Sequence, residues 1–270
     1  MKNIKIENYK GKVTKSISRP FFYYPSLYGI SNEYTGKDVK ICIIDSGCPD
    51  HKDISVKGEK VTFCDNDRDF YDRIGHSTII SGIIGANSKK SIVGFSPSSE
   101  FYFAKVIDRF GKCNFNSVVA AILWAIVKDV DVVLIALGTD YNYSVMHNVI
   151  HKAVDHGICI ISASGNSIKK NELIVDFPSK YAEVFSVATS LKDVKKNKIL
   201  GESVDFVLPS RVLQTTYLDN QYTKINGSSV CAAVVCGLTS LLIEKNKKDN
   251  INKKSFHKTI YSQLLHILNK

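Results

Sequence analysis

The sequence predicts a single α/β domain with a mostly parallel central sheet and helices on both of its faces. Short runs of Val, Ile and Phe that are apolar at every position are typical of strands buried in a parallel sheet. These runs alternate with segments of helical periodicity, and such alternation favours a doubly wound fold. At 270 residues, the chain is long enough for one large domain with its own core.

The individual elements follow from these patterns in chain order. Buried strands are predicted at residues 39–44, 101–107, 130–137, 158–163 and 184–189. Helices are predicted at residues 76–86, 116–128, 144–156, 230–245 and 256–268. Doubly wound sheets bind their ligands beyond the carboxyl ends of the strands. We therefore expect Asp45 and the segment after Ile161 to lie at the functional crevice.

Features along the chain indicate the extent of the domain and the cellular compartment of the protein. Residues 1–24 are predicted to form an N-terminal arm over the surface. Residues 25–270 are predicted to form one domain, because no internal repeat or linker divides this part of the chain. The Lys-rich start has no apolar core after its charges, so it does not resemble a secretory signal. No stretch has the length of apolar residues that a membrane span requires. A cytoplasmic protein without membrane contact is expected.

The charge and the cysteine content limit the classes of partner and of metal or redox site that are expected. The formal net charge is +10, but the lysines are scattered and no basic-aromatic motif of a nucleic-acid module is present, so no nucleic-acid partner is expected. The seven cysteines include no C-x-x-C pair, which argues against a zinc or thioredoxin-type site. Several lie in apolar runs, where a thiol behaves as a small hydrophobe. The simplest interpretation is reduced thiols in a cytosol.

Three short segments carry side chains typical of nucleophilic catalysis. Asp45-Ser46-Gly47 ends a predicted strand, Gly75-His76-Ser77-Thr78 begins a predicted helix, and Gly227-Ser228-Ser229-Val230 begins another. Taken singly, each has an ordinary structural explanation as a turn aspartate, a structural histidine or an N-cap serine. Together they occur in the chain order Asp, His, Ser, with the serine far downstream, as in one convergent class of serine proteases.

With these motifs the chain resembles the subtilase family of serine proteases. Further matches lie between them, at residues 94–97, 104–106, 132–138, 162–166 and 177–181. The resemblance implies a subtilisin-like fold and a catalytic triad of Asp45, His76 and Ser229. Ser229 would be the nucleophile, His76 the general base, and Asp45 the group that fixes the imidazole tautomer.

The resemblance also implies an oxyanion site and a substrate channel. The Asn166 amide and the Ser229 N–H would stabilise the oxyanion, whereas the alternative for Asn166 is an ordinary Gly-Asn turn. Substrate would lie as an added strand between two backbone segments. One segment contains Gly111, and the other consists of Ala136, Leu137 and Gly138.

Asp176 precedes Phe177-Pro178, where the resemblance puts the bottom of the primary specificity pocket. A carboxylate there is costly unless it is paired, and a Lys or Arg side chain of the substrate would pair it. This predicts a preference for a basic residue before the cleaved bond. The alternative is an Asp176 that turns outward in a loop of different length, and both remain open.

The chain departs from the family pattern in ways that bear on geometry and on metals. Ser77 adds bulk beside the base in place of a glycine, and the other replacements are small or apolar: Ile79, Val230, Ala233 and Val234.

Asp53 resembles a frequent calcium ligand. The corresponding calcium loop, residues 87–92, contains two lysines and few of the six or more oxygens that calcium needs. No metal or other cofactor is expected.

The resemblance implies an intracellular serine endopeptidase that acts on peptide or protein substrates. The intracellular location is expected because no prodomain precedes the catalytic segment. Within that group the use is general proteolysis or the processing of a lantibiotic precursor by a leader peptidase, and the compact size and missing prodomain favour the second. The alternative is a pseudoprotease that binds peptides without cleaving them. The presence of Asp45, His76, Ser229 and Asn166 favours activity, because a binding module has no physical need for all four.

Overall fold

A computed structural model describes residues 12–17, 19–23, 25–165, 167–169, 172–190 and 204–268 of the protein. The strands are β1 (Val13–Thr14), β2 (Phe21–Phe22), β3 (Lys40–Asp45), β4 (Lys60–Thr62), β5 (Ile92–Val93), β6 (Glu100–Lys105), β7 (Val132–Ile135), β8 (Cys159–Ala163), β9 (Ser167–Lys169), β10 (Glu172–Ile174), β11 (Phe185–Ser190), β12 (Phe206–Pro209), β13 (Leu213–Tyr217) and β14 (Gln221–Ile225). The helices are α1 (His76–Gly85), α2 (Phe115–Val127), α3 (Ser144–Asp155), α4 (Ser228–Lys248) and α5 (Phe256–Leu268).

Seven strands form the central sheet in the order β12-β11-β8-β7-β3-β6-β4, and all of its pairings are parallel. After β3 the chain forms the edge strand β4, returns to β6 directly beside β3, and then crosses to β7 on the other side of β3. Such a reversal opens a crevice beyond the carboxyl ends of the strands. Asp45 is the last residue of β3 and lies at that crevice.

The predicted α/β architecture with helices on both faces is confirmed. Ile41 and Ile43 of β3 pack into one core cluster with α1, α4 and α5. Cys42 and Ile44 of the same strand pack into a second cluster with α2 and α3. Because successive strand residues point to opposite faces, an apolar run in β3 fills both cores.

Four of the five predicted helices occur within one residue of their expected ends, and α5 has the predicted bounds. The largest difference is α4, which begins at Ser228 instead of residue 230, after Gly227 with φ 142°, and ends at Lys248 instead of residue 245. Basic residues in its last turn, Lys245, Lys247 and Lys248, complement the negative end of the helix dipole.

Helix α4 also corrects the expectation about membrane-span length. By length and composition alone it could cross a membrane, at a mean hydropathy of 1.5, and 94% of that apolar window is buried inside the protein. A helix that is apolar on all sides and covered by protein is typical of a domain core.

The sequence interpretation missed the antiparallel hairpin β13–β14. Its turn contains Asp219 and Asn220, both with positive φ, which favours a tight hairpin connection. The hairpin covers α1: Thr215 Oγ1 donates to Ile79 O and Thr216 Oγ1 donates to Thr78 O, both at 2.7 Å. Strand β1 pairs with β14 and extends this sheet with part of the N-terminal segment.

The cysteines behave as predicted from their apolar surroundings. All seven are free thiols, and Cys42, Cys159, Cys231 and Cys236 are buried. Burial raises the pKa of the Cys42, Cys159 and Cys236 thiols, which keeps them in the neutral form.

Candidate active site

Asp45 and His76 form a buried hydrogen-bonded pair at the carboxyl end of β3. His76 Nδ1 lies 2.9 Å from Asp45 Oδ2 and 3.0 Å from Asp45 Oδ1. The side chains are 3% and 0% exposed, so water does not compete for this contact. A carboxylate is an acceptor only, so Nδ1 carries the proton of the neutral ring. Nε2 is then the basic nitrogen, and it lies on the opposite side of the ring from Asp45.

The backbone around the pair holds both side chains in place. Asp45 Oδ1 accepts from the Ser46 N–H at 2.6 Å, and Asp45 O accepts from the Val106 N–H at 2.9 Å. Gly75, with φ 94°, turns the chain into α1 directly before His76. A Cβ at Gly75 would approach the Tyr217 ring to 2.5 Å, so glycine is needed for both conformation and space.

Ser229 lies in the first turn of α4 and is 2% exposed. Helix α4 packs directly against α1, the helix that begins with His76. The N–H groups of the first turn have no acceptor within the helix, so the Ser229 amide is a donor at the positive end of the helix dipole. The position therefore supplies both a hydroxyl and a preorganised N–H for an anion.

The expected oxyanion residue, Asn166, lies outside the described residues. The preceding Gly165 has φ 86° and directly follows the segment that leaves β8. Ser164, just before Gly165, is fixed by two backbone hydrogen bonds. Its N–H donates to Val187 O at 2.8 Å, and its O accepts from the Asp176 N–H at 3.0 Å.

The two predicted substrate segments flank the crevice at the ends of β6 and β7, the strands on either side of β3. Gly111, with φ 77°, closes a turn in which its N–H donates to Asp108 O at 3.0 Å. On the other side, Ala136 and Leu137 are buried and continue directly from β7 into Gly138. Both segments therefore leave the sheet at its carboxyl end, beside Asp45.

Asp176 lies inside the protein and does not turn outward. It is 2% exposed, and its carboxylate packs between two glycine backbones. A Cβ at Gly138 would come within 2.7 Å of Asp176 Cβ, and one at Gly165 within 2.7 Å of Asp176 Oδ2. Next to Asp176, Thr139 and Phe177 are joined by two backbone hydrogen bonds of 2.9 and 2.7 Å. The alternative of a solvent-facing carboxylate is therefore wrong.

Ser77, the bulkier residue beside the base, is fully buried and bonded through its backbone. Its N–H donates to Ser46 Oγ at 3.0 Å, and its side chain is 0% exposed. The two Asp45–His76 contacts are formed with Ser77 in place. Its extra atoms therefore do not separate the carboxylate from the imidazole.

Asp53 is surrounded by hydroxyl groups. Its Oδ2 accepts from Ser91 Oγ and, at 2.7 Å, from Tyr222 OH, and its backbone O accepts from the Asn87 N–H at 2.7 Å. These bonds attach the 87–92 loop to the hairpin strand β14. Within the described part of the chain, no three His, Cys, Asp or Glu side chains group as metal ligands.

A buried ion pair that the sequence did not indicate supports the loop between β4 and α1. Asp67 contacts Lys105 Nζ at 3.1 Å and Arg109 Nη2 at 2.8 Å, and the Asp67 and Lys105 side chains are each 1% exposed. Hydrogen bonding from Arg109 and then Lys105 holds the pKa of Asp67 well below its usual range, against the effect of burial. Lys105 pairs in register with Asp45, so this ion pair borders the site.

Replacing Asp67 by alanine is expected to lower the free energy of unfolding by about 3–5 kcal/mol, because it leaves the Lys105 ammonium buried without its carboxylate. Urea unfolding at pH 7 would measure this. The contribution is complete above the ordinary carboxyl pKa of about 4 and is lost as pH falls through the lower folded value. The difference between wild type and Asp67→Ala should therefore shrink in acid.

A matched control is Asp69→Ala in the same loop. Asp69 pairs with Arg73, whose side chain is 55% exposed, so its loss should cost no more than about 1 kcal/mol. Equal effects of the two substitutions would contradict the assignment of the buried pair.

A histidine held in one tautomer by a buried carboxylate, next to a helix that begins with a serine, defines the class of serine hydrolases that use an Asp-His-Ser arrangement. The chain order and the doubly wound sheet distinguish it from the chymotrypsin and α/β-hydrolase arrangements. Residues 36–265 match the subtilase family, peptidase S8. The chain belongs to this family of serine endopeptidases.

Three relatives illustrate the similarity. The chain is 31% identical over 217 residues to the minor extracellular protease Epr of Bacillus subtilis (strain 168), covering 78% of this chain and 33% of Epr. It is 30% identical over 227 residues to subtilisin of Bacillus pumilus, covering 82% of each chain. It is 29% identical to subtilisin E of Bacillus subtilis (strain 168), of which it spans 59%.

Proposed function

We propose that the chain hydrolyses internal peptide bonds through an acyl-enzyme formed on Ser229. His76 Nε2 accepts the proton of Ser229 Oγ as the hydroxyl attacks the peptide carbonyl, and later donates it to the leaving amine. Asp45 keeps the imidazole in the required tautomer and stabilises the imidazolium. The observation that carries the proposal is the buried contact of His76 Nδ1 with both Asp45 oxygens, at 2.9 and 3.0 Å.

The oxyanion of the tetrahedral intermediate is stabilised at the start of α4. The Ser229 N–H supplies one donor, and the Asn166 amide is proposed as the second from its sequence position. Removal of one such donor typically costs about 3–4 kcal/mol of transition-state stabilisation. The substrate backbone adds as a strand between the Gly111 segment and the 136–138 segment, which presents the scissile carbonyl to Ser229.

Labelling with a fluorophosphonate tests this function directly. We expect one adduct per chain, mapped to Ser229 by mass spectrometry, and formed equally in excess EDTA because no metal takes part. Acylation should also weaken in acid, since a protonated His76 ring no longer accepts a proton. A folded wild-type protein that forms no adduct would support the peptide-binding pseudoprotease instead.

We further propose that Asp176 selects Lys or Arg before the cleaved bond. The carboxylate is buried against Gly138 and Gly165, so a cationic side chain that enters there gains a charge-assisted hydrogen bond away from water. Such a bond corresponds to a preference of roughly 10- to 100-fold in kcat/KM over Leu or Phe. Cleavage-site profiling on a peptide library, read by mass spectrometry, measures it.

Asp176→Asn should abolish this preference, because the amide keeps the size of the side chain but loses its charge. The exposed Asp140 lies near Gly138 in the chain, and Asp140→Asn is the matched control that should keep the preference. A wild-type profile without enrichment of Lys or Arg, or an unchanged profile for Asp176→Asn, would refute the specificity proposal and leave the endopeptidase proposal intact.

We also propose an intracellular substrate, with a lantibiotic precursor as the candidate for dedicated processing. Support for the intracellular location comes from the seven free thiols, which suit a reducing compartment. Incubation with a lantibiotic-type precursor peptide should give one cut at the boundary between leader and core. Scattered cuts throughout the peptide would indicate general proteolysis.

A further inference from the structure

Asp72 is a buried carboxylate that accepts hydrogen bonds from four residues next to the catalytic pair. Its Oδ1 accepts from Ser46 Oγ at 2.9 Å, the Ile74 N–H at 2.9 Å and the Gly75 N–H at 2.8 Å. Its Oδ2 accepts from the Thr78 N–H at 2.9 Å and from Thr78 Oγ1 at 2.7 Å. The residue is 4% exposed. Both oxygens are therefore used for positioning, and neither depends on water.

These bonds connect the segment that carries Asp45 to the segment that carries His76. Ser46 directly follows Asp45, and its N–H donates to Asp45 Oδ1 at 2.6 Å. The Ser46 hydroxyl, which donates to Asp72, also accepts from the Ser77 N–H at 3.0 Å, one residue after His76. The Asp72 carboxylate thus bonds to the residue after Asp45, and to residues that precede and follow His76 at the start of α1.

Asp72 is itself held rigidly. Its N–H donates to Cys48 O at 2.8 Å, and the preceding residue, Tyr71, forms a parallel bridge with Cys48. Tyr71 O accepts from the buried Lys105 Nζ at 2.9 Å. A carboxylate fixed to this degree determines the position of its donors, because moving it would break several buried hydrogen bonds together.

We propose that Asp72 is a positioning residue for the reaction, which holds Ser46 and the first turn of α1 so that Asp45 and His76 meet in the productive geometry. The inference rests on the proposed function. Asp72 does not touch the reacting atoms. Its effect is on the orientation of the imidazole and, through its fixed negative charge, on the stability of the imidazolium.

The charged and titratable groups around Asp72 determine the expected pH effect. Cys48 after β3 and Tyr217 on β13 lie close enough to be affected by its charge, the Asp45–His76 pair is connected to it through Ser46, and Lys105 donates to O of the preceding Tyr71. Burial raises the pKa of Cys48 and of Tyr217, and the negative charge of Asp72 adds to both shifts. The same charge favours protonated His76. Removing it should therefore move the acid limb of kcat/KM to lower pH.

Asp72→Asn tests the inference. The amide cannot accept at its nitrogen, so it loses bonds to Thr78 or to Ser46, Ile74 and Gly75. We expect kcat per active site, counted by fluorophosphonate titration, to fall at least tenfold with little change in KM, and the acid limb to shift by a few tenths of a pH unit. Asp65→Asn, an exposed aspartate ahead of the same loop, should change neither.

Two further variants separate positioning from stability. Thr78→Val removes one bond to Asp72 Oδ2, and it should lower stability without moving the acid limb. Ser46→Ala keeps the bonds of Asp72 to Ile74, Gly75 and Thr78 but removes both bonds of the Ser46 hydroxyl, to Asp72 and to the Ser77 N–H, and it should lower kcat. If Asp72→Asn does not fold, Ser46→Ala with wild-type kcat overturns the inference.

The outcomes also distinguish this inference from the proposed function. Wild-type protein that fails to acylate removes the proposed function. Wild-type protein that acylates, together with Asp72→Asn that has the same kcat and the same acid limb, removes only the role of Asp72.

Discussion

Ser229→Ala is expected to lower kcat by about 10⁶-fold, a scale taken from nucleophile removal in a subtilisin. The substitution removes the only atom that would form the acyl-enzyme, and His76 and Asp45 cannot act without it because the three groups work as a unit. The side chain is small and lies in the first turn of α4, so the fold should persist. Hydrolysis of a fluorogenic peptide and fluorophosphonate labelling measure the loss.

The matched control is Ser240→Ala in the same helix. Ser240 is also buried, and its hydroxyl donates to Cys236 O at 2.9 Å, so its loss should cost about 1 kcal/mol of stability at most and leave kcat unchanged. Residual activity above one part in a hundred for Ser229→Ala would show that another nucleophile performs the reaction.

Asp45→Asn should lower kcat by about 10⁴-fold while the protein stays folded. An amide N–H directed at Nδ1 favours the tautomer with the proton on Nε2, and that ring cannot accept the Ser229 proton. The measurement is kcat at neutral pH, combined with proton NMR, where the low-field signal of the His76 Nδ1–H should disappear.

Asp50→Asn serves as the control for charge, because Asp50 is an exposed aspartate five residues further along the chain. It should retain both kcat and the low-field signal. A fully active Asp45→Asn would contradict the assignment of the tautomer-fixing role, whatever the fate of Ser229.

The central strands and helices could be predicted because they depend on local patterns. The apolar run before Asp45 is short and has no polar face, which predicts a strand covered on both faces. The structure confirms this strand from Lys40 to Asp45. The short strands of the β13–β14 hairpin escaped prediction because they carry Thr, Gln and Lys instead of an apolar run. The Asp219-Asn220 turn was the available signal.

The supporting carboxylates were not predictable to the same degree. Asp72 lies four residues before His76, where an aspartate near a helix start signals a cap, and that much was available from the sequence. Its bond to Ser46 joins residues 26 apart, and the Asp67–Arg109 bond joins residues 42 apart. Such bonds depend on how loops pack, which periodicity does not encode.

By itself, the sequence determined the parallel sheet, the order of the helices and the candidate catalytic residues, because backbone periodicity and side-chain type are local properties. Tertiary structure alone decided that Asp176 is buried between two glycine backbones, that Asp67 pairs with Lys105, and that Asp72 is hydrogen-bonded to Ser46 beside the Asp45–His76 pair. The physical reason is that burial of a charged group becomes favourable only when partners from distant parts of the chain arrive together.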